Sequence, residues 1–472
     1  MKDGNSLDRV IQHLRAEIAG SPAGSRLPSV RALMSRHGVG PVTVQRAFDR
    51  LAGEGVIDAQ PGRGTFVAPR EAPAAGDFAW QSGALGAGRV SADALGELVS
   101  VPPVGTLALS AGYPPPELQA LPQLAAAMQR ALRRPGVWDR LPPAGLEPLR
   151  AWFASEIGGG FAANDIIICA GGQSAIGTAF RALAEPGAAI LMESPTYIGA
   201  ITAARAAGLK PVPVPGDAEG VDPDLLGAAL ARSGARVVYC QPAFANPSGA
   251  VLSAPRRAAL LERLASAGAF LVEDDWARDF GLDGPPPAPL IRADRDGHIV
   301  YIRSLTKSAA PGLRIAAIAA RGAAMQRLRS IRTIDDLFLA GPMQEAALQL
   351  VTAPAWPRHL RRLRSALRAR RDHLAASLRR QFGAASLPLV PAGGLHLWLH
   401  LPPAVSDRDL AASARAAGLL VSPGRPWFPA EPTGSFLRLS FAAAPPDALD
   451  RGVTILAGLV GFDRQAEQTV FT

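Results

Sequence analysis

Lysine is the scarce cation of this chain: of 49 basic residues only three, Lys2, Lys210 and Lys307, are lysines. Arginine stands wherever charge alone is needed, so a lysine kept inside a structured segment needs its own reason. Lys2 is terminal, and Lys210 precedes Pro211 in what reads as a loop. Lys307 closes Ser304-Leu305-Thr306-Lys307, one residue beyond the apolar run 299–302, and Arg314 follows it. Three other groups stand in matching places. Gly171-Gly172-Gln173 follows the run 166–169 and opens a helix; Asn246-Pro247-Ser248-Gly249 lies beyond 237–240; Asp274 ends the run 270–272. Each alone is an ordinary glycine-rich turn or helix cap. Together they occupy the C-terminal ends of strands, where open α/β sheets build ligand sites. Their chemistry is complementary. A lysine forms an imine with an aldehyde, a carboxylate keeps a pyridinium nitrogen protonated, an amide bonds a ring oxygen, and helix N–H groups, hydroxyls and an arginine hold a phosphate. Pyridoxal 5′-phosphate needs this set, so it is the expected cofactor.

Positioning such groups requires a sheet. Short β-branched runs at 166–169, 189–192, 237–240, 270–272 and 299–302 alternate with Ala/Leu-rich helical stretches. That alternation predicts an α/β domain with a mostly parallel sheet covered on both faces. The stretch 355–472 holds a long Arg-rich helix and two alternating segments, 395–401 and 436–441, which predicts a smaller α+β subdomain. His396 and His400 alternate on the first of these segments, a spacing that makes structural roles the expectation and not a metal pair. Residues 69–105 are rich in Ala, Gly and Pro and read as a linker with one short helix near 91–100.

The first 70 residues are built differently. Leu7, Val10, Ile11, Leu14 and Ile18 recur at helical spacing after a possible Ser6 cap; Pro28-Ser29 starts a second helix; Val44, Ala47, Phe48 and Leu51 mark a third, from Pro41. Two short strands around Pro61-Gly62-Arg63-Gly64 complete a winged helix-turn-helix. Ten basic against six acidic residues give this segment a charge of +4. Thr43, Gln45 and Arg46 on the third helix suit major-groove edges, and a glycine-flanked Arg63 suits a minor groove. A protein-contact module with a solvated basic face is the plainer alternative.

With 472 residues, 48% apolar and 19% charged, the chain can bury sizeable cores and is neither disordered nor a disulfide scaffold. Cys169 and Cys240 match no metal-ligand spacing and are expected as buried thiols, with no metal. The N-terminus has no apolar signal core and no run is long enough to span a membrane, so a cytoplasmic location is expected. The net charge of +9 permits an anionic partner.

Residues 27–67 resemble the DNA-binding domain of the GntR family: the LPSVR start, the TV-x-x-A helix, the L-x-x-x-G-x-I exit and the G-x-GTFV wing all match. That resemblance implies operator contacts from Arg31, Thr43, Gln45, Arg46, Arg63 and Gly64. From about 106 onward, NPSG (246–249), EDD (273–275) and SLTKSAAPGLR (304–314) resemble the fold-type I aminotransferases, and most of all the MocR subfamily of GntR regulators. The resemblance implies that Lys307 carries the aldimine and Asp274 partners the pyridine nitrogen. Asn246 would bond the ring oxygen, Tyr197 of ESPTY would stack on the ring, and Gly171, Gly172, Gln173, Ser304, Thr306 and Arg314 would cradle the phosphate. Arg438 of FLRLSF would clamp an effector carboxylate. A strand arginine in an ion pair is the plainer reading of Arg438, and a core position that of Tyr197.

The implied organisation is a winged helix at 1–70, a linker at 71–105 and an aminotransferase-like domain at 106–472. The implied function is a bacterial, pyridoxal-phosphate-dependent transcriptional regulator that senses the cofactor or an amino compound through the aldimine. It would act as a head-to-tail, domain-swapped homodimer on operator DNA. An active aminotransferase with an accessory DNA-binding domain is the alternative. Three positions depart from the family pattern. Trp276 replaces a tyrosine that donates to the ring oxygen, Gly199 replaces an arginine that grips a distal acid, and Arg140 stands near where a tyrosine reaches the neighbouring phosphate.

Overall fold

The computed structural model describes residues 3–69, 77–86, 88, 90, 93–103 and 105–461, and the chain divides into two compact units, 1–87 and 88–472. In the first unit, α1 (Asp3–Ala19), α2 (Val30–His37) and α3 (Pro41–Gly53) precede the hairpin β1 (Ile57–Gln60) and β2 (Gly64–Val67). Ser6 lies inside α1 and not at its cap; its hydroxyl accepts from Arg9 at 3.3 Å. Ser29 caps α2 by accepting from the Ala32 amide, and Gly38 ends it in the left-handed region, where glycine carries no side-chain penalty. Val10, Leu14, Leu33, Val44, Ala47 and Leu51 are wholly buried and hold the three helices together. A short helix, α4 (Ala79–Leu85), closes the described part of this unit.

The second unit begins with α5 (Asp93–Val99) and β3 (Leu107–Ala108). The segment expected as a linker therefore contains two helices, and Leu95 and Leu98 of α5 pack against an aromatic cluster that includes Trp427 and Tyr197. The central sheet has eight strands: β4 (Ile166–Cys169), β5 (Ala189–Ser194), β6 (Lys210–Asp217), β7 (Gly220–Val221), β8 (Val237–Cys240), β9 (Phe270–Asp274), β10 (Ile299–Ser304) and β11 (Ala316–Ala319). Their spatial order is β4-β11-β10-β9-β8-β5-β6-β7. The five strands β5, β6, β8, β9 and β10 pair in parallel, but β11 runs antiparallel between β10 and β4, so the sheet is mixed rather than simply parallel. Helices cover both faces, and the apolar strands feed two core clusters, one on each side.

Six strands lie outside the runs that the sequence marks as strands: the two-residue β3, β7, Leu419–Leu420 and Ser422–Pro423, and the longer β6 and β11. β11 is almost all alanine, a composition that favours helix; it is a strand because its small side chains are buried within the sheet. β6 contains Lys210 and three prolines at alternate positions, and was expected as loop. Its even-numbered residues face β5, and the Lys210 amide donates to Ala188 O at 2.9 Å. Pro211, Pro213 and Pro215 then lack an N–H only on the opposite edge, which most of the strand leaves unpaired, so the prolines cost the ladder nothing.

Beyond the helix Ala355–Phe382, β12 (His396–His400), β13 (Leu419–Leu420), β14 (Ser422–Pro423) and β15 (Phe436–Ser440) form the smaller α+β layer. β12, β15 and β14 pair antiparallel, and β13 joins β3 in parallel.

Candidate functional site

The strand ends place one cavity lined by Tyr113, Gly172, Gln173, Tyr197, Asn246, Asp274, Trp276, Ser304, Thr306, Lys307 and Arg314, together with Gln241 and Ile176. Gly171, before the helix Gly172–Leu183, has φ +89°, and a methyl group there would fall 2.6 Å from the Arg314 guanidinium. Arg314 itself takes the left-handed region at φ +50° and donates to Ala170 O at 3.0 Å. A strained arginine pressed onto a glycine at a helix N-terminus makes an anion cradle. Ser304 and Thr306 join it through a 3.0 Å bond between their hydroxyls.

Asp274 ends β9 in full burial. Tyr239 Oη and Gln241 Nε2 both donate to its Oδ2, at 2.6 and 2.8 Å. Burial raises its carboxyl above the ordinary aspartate range, while those two donors and the charge of Lys307 pull the other way. Lys307 is lowered to about 8, chiefly by burial, with Asp274 opposing. A lysine at that value is partly neutral near physiological pH and so can act as a nucleophile.

Trp276 does not stand in for the expected tyrosine. Its Nε1 donates to Phe244 O at 3.2 Å, so the indole N–H is committed to the backbone. Its ring face meets the lysine instead, with Lys307 Nζ 4.0 Å from the ring centroid. Gly199 is equally constrained. A Cβ at that position would lie 2.4 Å from Tyr197 Cζ and 2.5 Å from Gln173 Oε1, and Gly199 O accepts from Gln173 Nε2 at 2.8 Å. The glycine leaves room for the Tyr197 ring and the Gln173 amide where a larger residue would displace both.

Arg438 is buried beside the cavity, not among its lining residues. It donates to His396 Nε2 at 3.0 Å, to Ser110 O and, at 3.5 Å, to Asn246 Oδ1, and it lies 4.4 Å over the Trp427 ring. Among the described residues no carboxylate pairs with it, and burial lowers its pKa to about 9. An ion pair is therefore not its role in this arrangement; an unpaired buried guanidinium is costly unless an anion joins it.

The sequence reading does not single out Tyr113, Tyr239, Gln241 or Trp427, while His396, expected in a structural role, accepts from Arg438. One signal was available. Tyrosine occurs only four times and asparagine three times in the chain, as scarce as lysine. Tyr113 and Tyr197 line the cavity, Tyr239 bonds Asp274, and Tyr301 bonds Asp275 at 2.7 Å.

In the first unit α3 exposes Gln45 and Arg46, and Gln45 bonds Asp49 at 2.9 Å along the helix. Thr43 is half-buried near its N-terminus, and Arg31 is exposed on α2. Arg63 is exposed at the hairpin tip. Gly64 has φ +123°, and a Cβ there would meet Arg26 Nε at 2.9 Å, so the glycine lets a second arginine cross the wing. These groups and the amide end of α3 form a face suited to duplex DNA.

Fold and site together define a winged-helix DNA-binding unit joined to a fold-type I aminotransferase-like unit. Residues 106–456 match the aminotransferase class I and II family and residues 7–67 the bacterial regulatory proteins of the gntR family. The chain belongs to the aminotransferase class I and II family and carries a GntR helix-turn-helix, the MocR-type arrangement. It is 27% identical to an uncharacterized HTH-type transcriptional regulator, YdfD, of Bacillus subtilis, across 94% of both chains. It is 29% identical to the vitamin B6 salvage pathway transcriptional repressor PtsJ of Salmonella typhimurium, across 90% of this chain and 91% of that one. The crystal structure of LysN, the α-aminoadipate aminotransferase of Thermus thermophilus complexed with N-(5′-phosphopyridoxyl)-L-leucine, superposes with a TM-score of 0.75. The two are 30% identical over 81% of this chain and 98% of that one.

This fold binds pyridoxal 5′-phosphate, and the residues present fit it: a glycine cradle against Arg314, a buried carboxylate, and a buried amine of lowered pKa. Among the described residues no group of side chains could hold a metal, and no helix is long and apolar enough to cross a membrane.

Proposed function

We propose that this protein is a bacterial transcriptional regulator that binds operator DNA through residues 1–70 and senses pyridoxal phosphate, or an amino compound reacting with it, at Lys307. The domain limits we assign are 1–70, a connecting segment at 71–105, and 106–472. The reading rests on one observation above all: Lys307 shares one cavity with Asp274 and with Arg314, in a chain that also carries an exposed recognition helix. Bound pyridoxal phosphate supplies an aldehyde that captures amines and a ring that withdraws electrons from them. The chain supplies the rest. Arg314, the amides after Gly171, Ser304 and Thr306 hold phosphate; Asp274, steadied by Tyr239 and Gln241, holds a proton on a ring nitrogen; Asn246 bonds a ring oxygen; Tyr197 covers the ring. Arg438, buried without a counter-ion, is the receptor for an effector carboxylate.

Occupancy alters DNA affinity only if the effector binds two arrangements of the chain unequally. The repressor named for vitamin B6 salvage supports the cofactor itself as one candidate signal. We further propose a cytoplasmic, head-to-tail homodimer in which the DNA units cross over. The completeness of the Lys307, Asp274 and Asn246 set favours, as a second reading, turnover of an amino donor with a keto acid. The test uses a duplex selected by the full-length chain from a random pool. Its affinity for the cofactor-loaded protein should change at least about fivefold on adding the cognate amine from a panel, the low end of ordinary allosteric coupling. Lys307→Ala should abolish that response while retaining DNA binding. Sustained transamination, with DNA affinity indifferent to cofactor and amines, would replace the regulatory reading by the enzymatic one.

A further inference from the structure

The second unit contains a cavity of about 370 Å³ that none of the roles above uses. Part of its wall is aromatic: Trp398 and Phe436 stack with centroids 4.9 Å apart and planes at 13°, and Phe428 lies 5.7 Å from Phe436. Glu193, on β5, and Asp217, at the end of β6, also line it, and no lysine or arginine does. Glu193 is buried. Its Oε1 accepts from the Gln241 amide at 2.9 Å and the Thr196 hydroxyl at 3.3 Å, and no basic side chain among the described residues pairs with it. Burial raises its carboxyl to about 8. Asp217 is held at the rim by Arg256 at 2.7 Å. His400 is the remaining titratable lining group, and partial burial lowers its imidazole below the ordinary histidine range.

Aromatic faces attract cations, and a buried acid without a counter-ion ionises when a cation docks beside it, its proton passing to solvent. Apolar walls with one or two placed polar groups describe a small-molecule site. We propose that this cavity is a second ligand site, for a protonated amine with an apolar body, its ammonium held by Glu193 and its body lying against Trp398, Phe428 and Phe436. The site is wired to the first. Gln241, whose amide bonds Glu193, donates from its side chain to Asp274 Oδ2 and accepts there from the Asn246 amide, each at 2.8 Å. Its existence does not rest on the cofactor reading.

The probe is 2-phenylethylamine, compared with 2-phenylethanol, by calorimetry on the full chain. Borohydride reduction in the presence of pyridoxal phosphate first closes Lys307 to amines; if no cofactor is retained, the untreated chain serves, so the two readings fail separately. The amine should bind one per chain, about tenfold or more tighter than the alcohol, the size of one charge-assisted hydrogen bond. Glu193→Gln keeps an acceptor for Gln241 and should erase that preference. Ala218→Phe, at an exposed lining position, should block both probes. Equal affinity for amine and alcohol, or binding untouched by Ala218→Phe, would overturn the proposal.

Discussion

A methyl group at position 171 has nowhere to go: it would meet the Arg314 guanidinium at 2.6 Å on a backbone with φ +89°. Gly171→Ala should therefore displace Arg314 and weaken pyridoxal phosphate binding about tenfold to a hundredfold, the cost of disturbing a charge-assisted contact, measured by titrating the apoprotein. The buried acids make a prediction of opposite kind. Burial holds the Glu193 carboxyl near 8, against 4.5 when exposed, so the folded chain keeps a proton that the unfolded chain releases. Where the native state binds more protons, stability falls as pH rises, here between about pH 5 and 8, by at most about 1.4 kcal/mol per pH unit. Glu193→Gln should flatten that decline in denaturant melts at several pH values; an unchanged slope would show that the carboxyl is ionised throughout. At this scale the sequence was legible where rarity met position. Lys307, Asp274, Asn246, Gly172 and Arg314 could be named from type and spacing and share one cavity. Tyr239 and Gln241 could not, because their importance lies in bonds to Asp274 from another strand, which no local pattern encodes. The commitment of the Trp276 N–H to Phe244 O was hidden for the same reason.

The elements that read well were those whose local preference and tertiary role agree. α3 shows helical periodicity and buries Val44, Ala47, Phe48 and Leu51 on one face, which leaves Gln45, Arg46 and Arg50 outside. Arg46→Ala should lower affinity for the selected duplex by about 1–3 kcal/mol if the side chain reads a base edge, and leave the cofactor's visible spectrum unchanged. Altered spectra with intact DNA affinity would sink this division of labour. Removing the α2 cap by Ser29→Ala should cost about 1 kcal/mol, read as faster hydrogen exchange of the α2 amides. β6 and β11 were illegible because tertiary context overrides propensity in each. Prolines are tolerated where the strand edge is open, and alanines form a strand where neighbours on both sides demand it.

For the whole molecule, composition and periodicity announced two architectures in one chain, a small helical unit with a hairpin and a large α/β unit. The mixed order of the eight strands was beyond reach, since it depends on pairings between residues as distant as Ile168 and Ala317. The account stands on a cofactor held at one residue, and the scarcity of lysine makes that claim unusually easy to test. The full-length protein is incubated with pyridoxal phosphate, reduced with borohydride, digested and mapped by mass spectrometry. The account predicts one phosphopyridoxyl group per chain, on Lys307, absent from Lys307→Ala. A chain left unlabelled, or labelled equally on Lys2 and Lys210, would contradict it.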